Sequence, residues 1–184
     1  LKQAGWIFKD QKLTNAKTGA ALSFEILLGD PGEEKIALEF SRSLKKIGVE
    51  ARVRTVDSAQ FTGRLEAFDY DMVLYRWINS LSPGNEQLNY WGSEAAKTRG
   101  SRNYAGVNSA EIDALARDIA QAPDRETLVT RARALDRAII GGHYMVPTYY
   151  LGRDLVAYDA RLLHPKTVPL YGIVTDTWWF APAP

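Results

Sequence analysis

Apolar positions along the chain change period several times, and the changes mark out its elements. Leu22, Phe24, Ile26 and Leu28 alternate with their neighbours, the period-two pattern of a strand with one face on a core. Gly29-Asp30-Pro31 then opens a helix. Asp30 suits the cap, Pro31 the first helical position, and Glu33 completes a capping-box spacing. Ile36, Phe40, Leu44 and Ile47 follow at helical spacing, and Gly48 ends the run. Val49 to Val56 alternates as a second strand. Asp57 and Gln60 give another capping spacing, ahead of a short helix striped by Phe61, Leu65 and Phe68. Asp71 to Trp77 reads as a third strand, and its apolar run from Met72 to Tyr75 suits a strand covered on both faces.

Residues 22 to 77 therefore read as strand, helix, strand, helix, strand with short connections, the signature of a parallel sheet with right-handed crossovers. In such sheets ligands meet the carboxyl ends of strands, where the strand order reverses. Trp77 marks that end of the third strand. The segment that follows, 78 to 107, has little periodicity beyond a short helix from Glu86 to Trp91. Loops of this length within compact domains are functional or disordered, and its aromatic content argues against disorder. Trp77, Tyr90, Trp91 and Tyr104 sit there among Asn79, Ser80, Asn85, Asn89, Ser93 and Asn103. Large aromatics pack cores as readily as they line sites. As a set mixed with neutral hydrogen-bonding groups, they suit a cleft for a polar, mostly uncharged ligand such as a peptide or sugar.

Two further helices follow. Asn108 with Glu111 caps the first, which carries Ile112, Leu115 and Ile119. Asp124 opens the second, with Leu128, Ala132, Leu135 and Ile139 on its face and Gly141-Gly142 as its stop. Tyr144 to Leu151 reads as an edge or interrupted strand because of Pro147, and Leu155 to Tyr158 as another. Trp178-Trp179-Phe180 is expected to be a packed anchor in a Pro-rich tail. At the other end, Leu1 to Trp6 reads as the last turn of a helix stopped by Gly5, and residues 7 to 21 as a loop or short hairpin. A helix end at the first residue suggests a fragment of a longer chain, with any export signal on the part that precedes it.

Composition narrows the function classes. The chain of 184 residues is 46% hydrophobic and 24% charged, values of an ordinary globular domain. A net charge of +1, with Lys and Arg dispersed, argues against a nucleic-acid binder or a polybasic membrane patch. The absence of cysteine excludes disulfides and thiolate chemistry. His143 and His164 are the only histidines and sit in no metal-ligand spacing, so neither a metal nor a cofactor is expected. No nucleophile elbow, phosphate loop or dinucleotide fingerprint is present. Asp69 and Asp71 flank Tyr70 at the amino end of the third strand, the wrong end for a site in this architecture, so a turn-and-cap role is expected.

Several segments together resemble the C-terminal lobe of bacterial extracellular solute-binding proteins of family 5, the oligopeptide/dipeptide class that serves ABC importers. Leu1-Lys2-Gln3-Ala4-Gly5-Trp6 is similar to the family's Leu-x-x-Ala-Gly-Trp helix end. Leu44 to Ala51, Phe68-Asp69-Tyr70-Asp71-Met72 with Trp77, Asn103-Tyr104 followed by Ile112-Asp113-Ala114-Leu115, and Val146-Pro147-Thr148-Tyr149-Tyr150 resemble further family segments in the same order. Ser80 to Gln87, with Tyr90-Trp91-Gly92-Ser93 and Gly100-Ser101-Arg102-Asn103-Tyr104, is similar to the YejA-type subgroup associated with oligopeptide and microcin C uptake.

The resemblance implies an α/β fold, a periplasmic-binding-protein-like II lobe with a mostly parallel sheet flanked by helices. Residues 1–184 would form one C-terminal lobe, with the N-terminal lobe and signal peptide elsewhere in the protein. It implies periplasmic capture of a peptide-like ligand between two lobes for an ABC permease in the inner membrane, with no catalytic residue. Trp77, Asn79, Ser80, Asn85, Asn103 and Tyr104 are the expected cleft-wall residues. Oligopeptide binders of the family place an aspartate a few residues after the strand-ending tryptophan, paired with the peptide's α-amino group. Trp77-Ile78-Asn79-Ser80-Leu81-Ser82 has no acid there. A buried ammonium without a partner is costly, so either the ligand lacks a free α-amine at this spot, as an N-blocked peptide does, or its charge is met elsewhere. Two alternatives remain: a ligand-sensing domain of a transcription regulator, and a hydrolase using Asp or Glu.

Overall fold

The computed structural model describes residues 1–150, 152, 154–170 and 172–182. The chain divides into two compact units, Leu1–Met145 and Val146–Pro184.

The first unit is built on a three-stranded parallel sheet. Its strands β3 (Ser23–Leu28), β4 (Glu50–Thr55) and β5 (Met72–Val73) follow an antiparallel hairpin of β1 (Trp6–Lys9) and β2 (Lys12–Asn15). The spatial order is β4-β3-β5, with β3 paired to β4 from Ser23↔Glu50 to Leu28↔Thr55 and to β5 at Ile26↔Met72 and Leu27↔Val73. The crossovers are α1 (Glu34–Lys45) and α2 (Ser58–Glu66). The expected face of β3 is the one that packs: Phe24, Ile26 and Leu28 meet Ala37, Phe40 and Leu44 of α1 and Ala51 and Val53 of β4. Leu27, on the opposite face, is also fully buried, so the central strand is covered on both sides.

Local chemistry explains where these elements start. Asp30 accepts a hydrogen bond from the Gly32 amide and caps a 3-10 turn, Pro31–Glu33, that leads into α1. Asp57 accepts from the Gln60 amide at the start of α2, the expected capping spacing. Ile47 departs from expectation. It lies past the end of α1 and is 50% exposed, because Gly48, at φ +82°, turns the chain into β4 before Ile47 can reach the core. The third strand is also shorter than Asp71 to Trp77. Only Met72 and Val73 join the ladder, and the apolar run beyond them is partly buried by aromatic packing instead.

Asp69 and Asp71 are structural. Asp69 pairs with Arg64 at 3.0 Å, and Asp71 accepts from the Glu25 amide at 2.9 Å, tying the start of β5 to β3. The first residues form a single 3-10 turn, Lys2–Ala4, stopped by Gly5 in the left-handed conformation.

The rest of this unit is helical: α3 (Glu86–Trp91), α4 (Ala110–Ala120) and α5 (Arg125–Gly141). The cap of α4 is Ser109, whose hydroxyl accepts from the Ile112 amide, and not Asn108. Asp124 caps α5 as expected. Ile112, Ala116 and Ile119 of α4 and Leu135 and Ile139 of α5 bury against Tyr90, Trp91 and Val107, with Leu115, Leu128 and Ala132 at the margin.

No strand forms over residues 144–150, and Leu151 lies outside the described residues. Pro147 lacks the N–H a ladder needs. In the second unit Leu155 to Tyr158 is unpaired as well. The paired strands are β6 (Leu162–Leu163) and β7 (Trp179–Phe180), in register Leu162↔Phe180. Trp179 and Phe180 are 47% and 63% exposed, so this end is not the packed anchor its composition suggests. Trp178 instead meets His164 and Tyr158 at ring distances of 5.1 and 4.9 Å.

Candidate functional site

Strand order fixes where a site can form. The chain crosses from β3 to β4 on one side, then returns to lay β5 on the other side of β3. The reversal falls between β3 and β5, and loops leaving their carboxyl ends diverge there. Trp77, expected as the last residue of the third strand, stands beyond the carboxyl end of β5, which closes at Val73.

Around Trp77 the loop from 78 to 107 folds back as a cluster of rings. The Trp77 ring lies 4.8 Å from Trp91, 5.4 Å from Tyr75 and 6.5 Å from Tyr104, and Tyr75 packs edge-on to Tyr104 at 4.5 Å. Trp91 is buried and its indole N–H donates to Gln87 Oε1 at 3.1 Å. Trp77 is half-buried, and its indole N–H donates to the Arg102 carbonyl at 3.2 Å. One face of the cluster is therefore locked onto the helical core while Trp77 and Tyr104 keep part of their surface open. Burial and the Tyr75 hydroxyl push the Tyr104 pKa up to about 12, so Tyr104 is a neutral donor near neutrality. Tyr70 donates to the Tyr104 carbonyl at 3.0 Å, and burial raises its pKa further.

The structure divides the expected wall residues into two kinds. Asn79, Ser80 and Asn85 are exposed beside the aromatic cluster. Asn79 Oδ1 accepts from the Gln87 amide at 3.2 Å, leaving its own N–H groups for other partners. Ser80 closes a local turn with Ser82. Asn85 precedes α3 and makes no capping bond with its side chain. Asn103 is different. It is 0% exposed, donates to the carbonyls of Gly92 and Val107, and accepts from the Val107 amide, all at 2.9 Å. Its amide is spent inside the loop, so Asn103 positions Arg102 and Tyr104 on either side of it.

Two side chains at the site carry more than composition indicated. Tyr75 completes the ring cluster from within the third apolar run. Arg102 is exposed, and its guanidinium reaches the Tyr90 hydroxyl, which raises its pKa. A groove of about 520 Å³ lies elsewhere, between the hairpin and Ile47, lined by Leu1, Trp6, Ile7, Phe8 and Leu13. Its polar side chains are only Lys2 and Lys46, and it has the makeup of a packing surface.

Residues 1–99 match the family model described as bacterial extracellular solute-binding proteins, family 5 Middle. The chain belongs to the family 5 bacterial extracellular solute-binding proteins. Among its relatives is the probable peptide-binding protein YejA of Agrobacterium fabrum, 41% identical over 97% of this chain. The peptidoglycan-binding protein YepA of the same organism is 42% identical over 98%. The chain spans 29% of the length of each. In three dimensions it is similar to the oligopeptide-binding protein AppA from Bacillus subtilis, solved with a nonapeptide. That match has a TM-score of 0.72 at 22% identity and covers 98% of this chain and 36% of AppA. At that identity the likeness establishes the fold, an α/β lobe of the periplasmic-binding type, and the relatives make this family 5 chain YejA-like.

Proposed function

We propose that this chain forms one wall of a two-lobed binding protein that captures oligopeptide-like ligands for an ABC importer. The observation that carries the reading is the half-open aromatic cluster of Trp77 and Tyr104 beyond the carboxyl end of β5, edged by the exposed neutral groups of Asn79, Ser80 and Asn85. Aromatic faces give contact area at low entropic cost, and amides and hydroxyls pair with a peptide backbone, which carries no charge of its own. The binding walls are Trp77, Asn79, Ser80, Asn85 and Tyr104, with Asn103 holding the loop between them.

A second lobe, supplied by the remainder of the protein, closes the cleft by hinge motion, and the closed form docks on a permease in the inner membrane. That places the protein in the periplasm. No group in the cluster takes a catalytic role. Asn79 and Ser80 occupy the position where an acid would meet an α-ammonium, so the preferred peptide is blocked at its amine.

One observation favours a second ligand class. A peptide stem still attached to its peptidoglycan sugar has its first amine acylated, which suits the same acid-free segment, and the relative named YepA is a peptidoglycan-binding protein.

Calorimetry on the full-length protein with one tetrapeptide in free-amine and N-formylated forms tests the reading. Tighter binding of the formylated form is expected. A clear preference for the free amine would sink the N-blocked assignment, and the absence of binding to any peptide would sink the peptide assignment itself.

A further inference from the structure

A cation stands at the mouth of this otherwise neutral cluster. Arg102 is exposed between two residues whose positions are fixed from inside. Ser101 is buried with its hydroxyl on the Ala95 carbonyl, and Asn103 is fully buried with its amide satisfied. The Arg102 carbonyl accepts the Trp77 indole N–H at 3.2 Å. Its guanidinium lies against Tyr90, and the Tyr90 hydroxyl in turn donates to the Ile78 carbonyl at 3.4 Å. The backbone of Arg102 is therefore tied to Trp77.

Among the described residues no ion pair involves Arg102. The groups facing the guanidinium are the phenols of Tyr75, Tyr90 and Tyr104. A guanidinium has five donors in a planar fork, and the neutral phenols leave its charge unmatched.

We infer that Arg102 is an anion-recognising residue of the cleft, and that the ligand presents a carboxylate to it beside the Trp77–Tyr104 face. The inference rests on the peptide-binding reading above and adds a charge requirement to it. Closure of a second lobe over this point removes water from the pair and strengthens it. The acid-free segment and the unpaired arginine then act in one direction: the site rejects a positive group at Asn79 and draws a negative one to Arg102. The carboxylate can be a peptide's terminal one or a side chain's.

The test uses the full-length protein and four pools of N-acetylated tetrapeptides, with a free C-terminal acid or amide, each with either glutamate or glutamine at one position. Retained peptides are quantified by mass spectrometry after equilibrium capture. The wild type is expected to enrich carboxylate-bearing peptides over their neutral isosteres by roughly tenfold, the size of one charge-assisted hydrogen-bonded pair. The terminal and side-chain arms show which carboxylate is read. Arg102→Gln should bring the ratio to about 1 while still retaining the neutral peptides, and Arg102→Lys should restore part of it because its point charge lacks the fork. An unchanged enrichment ratio in Arg102→Gln would overturn the inference and leave the peptide reading standing. Failure of the wild type to retain any pool would overturn both.

Discussion

Replacing Asn103 with alanine separates a residue that builds the site from one that touches the ligand. The side chain makes three hydrogen bonds to backbone groups, at 2.9 Å each, in a spot with no solvent exposure. Two of those partners belong to Val107, itself fully buried, and the third to Gly92, also buried. Alanine removes all three bonds and leaves the Val107 N–H and carbonyl without partners, while the Gly92 carbonyl keeps the Ala96 N–H at 3.2 Å. At about 1 kcal/mol per bond the loop loses roughly 3 kcal/mol. That is on the order of a hundredfold in the local opening equilibrium.

Native-state hydrogen exchange on the full-length protein reads this directly, because the Val107 amide is one of the three groups. Exchange in a fragment spanning 103–110 should accelerate by about a hundredfold, while fragments from β3 and β4 stay unchanged. Peptide affinity should fall as the loop loosens. An acceleration below about fivefold together with lost affinity would refute the assignment. That pattern belongs to a side chain whose main partner is the ligand.

Two other outcomes follow from the same structure. Gly48→Ala should destabilise the first unit by about 2 kcal/mol or more, read as a lowered denaturation midpoint. Its φ of +82° is unfavourable for alanine, and a Cβ there would lie 2.6 Å from the Phe8 ring and 2.8 Å from the Leu13 backbone nitrogen. At high pH the Tyr104 loop should weaken. Its phenol is held neutral up to about 12 in the folded state against about 10 when unfolded, so the stabilisation is complete below pH 10 and lost as pH rises through 12. Hydrogen exchange across the loop in wild type and Tyr104→Phe should converge at neutral pH and diverge above pH 10, with the phenylalanine variant more protected.

The scaffold was legible because its signals are local. Asp57 and Asp124 cap the helices their spacing announces, and the alternation of β3 matches its buried face. What escaped was whatever depended on residues distant in sequence. The strand at 144–150 has the composition of a β segment, but with Pro147 in its middle no partner strand forms. Several left-handed turns were hard to see because they use no glycine: the β1–β2 connection runs through Asp10 and Gln11 at φ 49° and 62°, the end of α2 through Phe68 at 53°, and the end of α5 through His143 at 58°. Asn103, expected on the cleft wall, is buried, and its neighbour Arg102, given no role by the sequence, is exposed. Adjacent in sequence, one points into the core and the other to solvent, and nothing short of the loop's fold says which.

The strand order also explains why the chemistry collects at β5 and not at β3, although both end at the same crevice. The exit of β3 is sealed. A Cβ on Gly29 would lie 2.6 Å from the Phe61 ring, so the first turn of α2 sits directly on that backbone. Arg76, just past β5, reaches across to Glu33 at 3.3 Å and ties the two exits together. β3 and β4 each run through a short connection into a helix, and the carboxyl end of β5 is the one that leads into the long loop. There the backbone leaves regular structure after Val73, and buried polar groups such as Asn103 take over the work of the ladder. The bonds of Asn103 to Gly92 and Val107 hold this loop from inside, so an exposed side chain that makes no such bond, as at Asn85, can change without disturbing it.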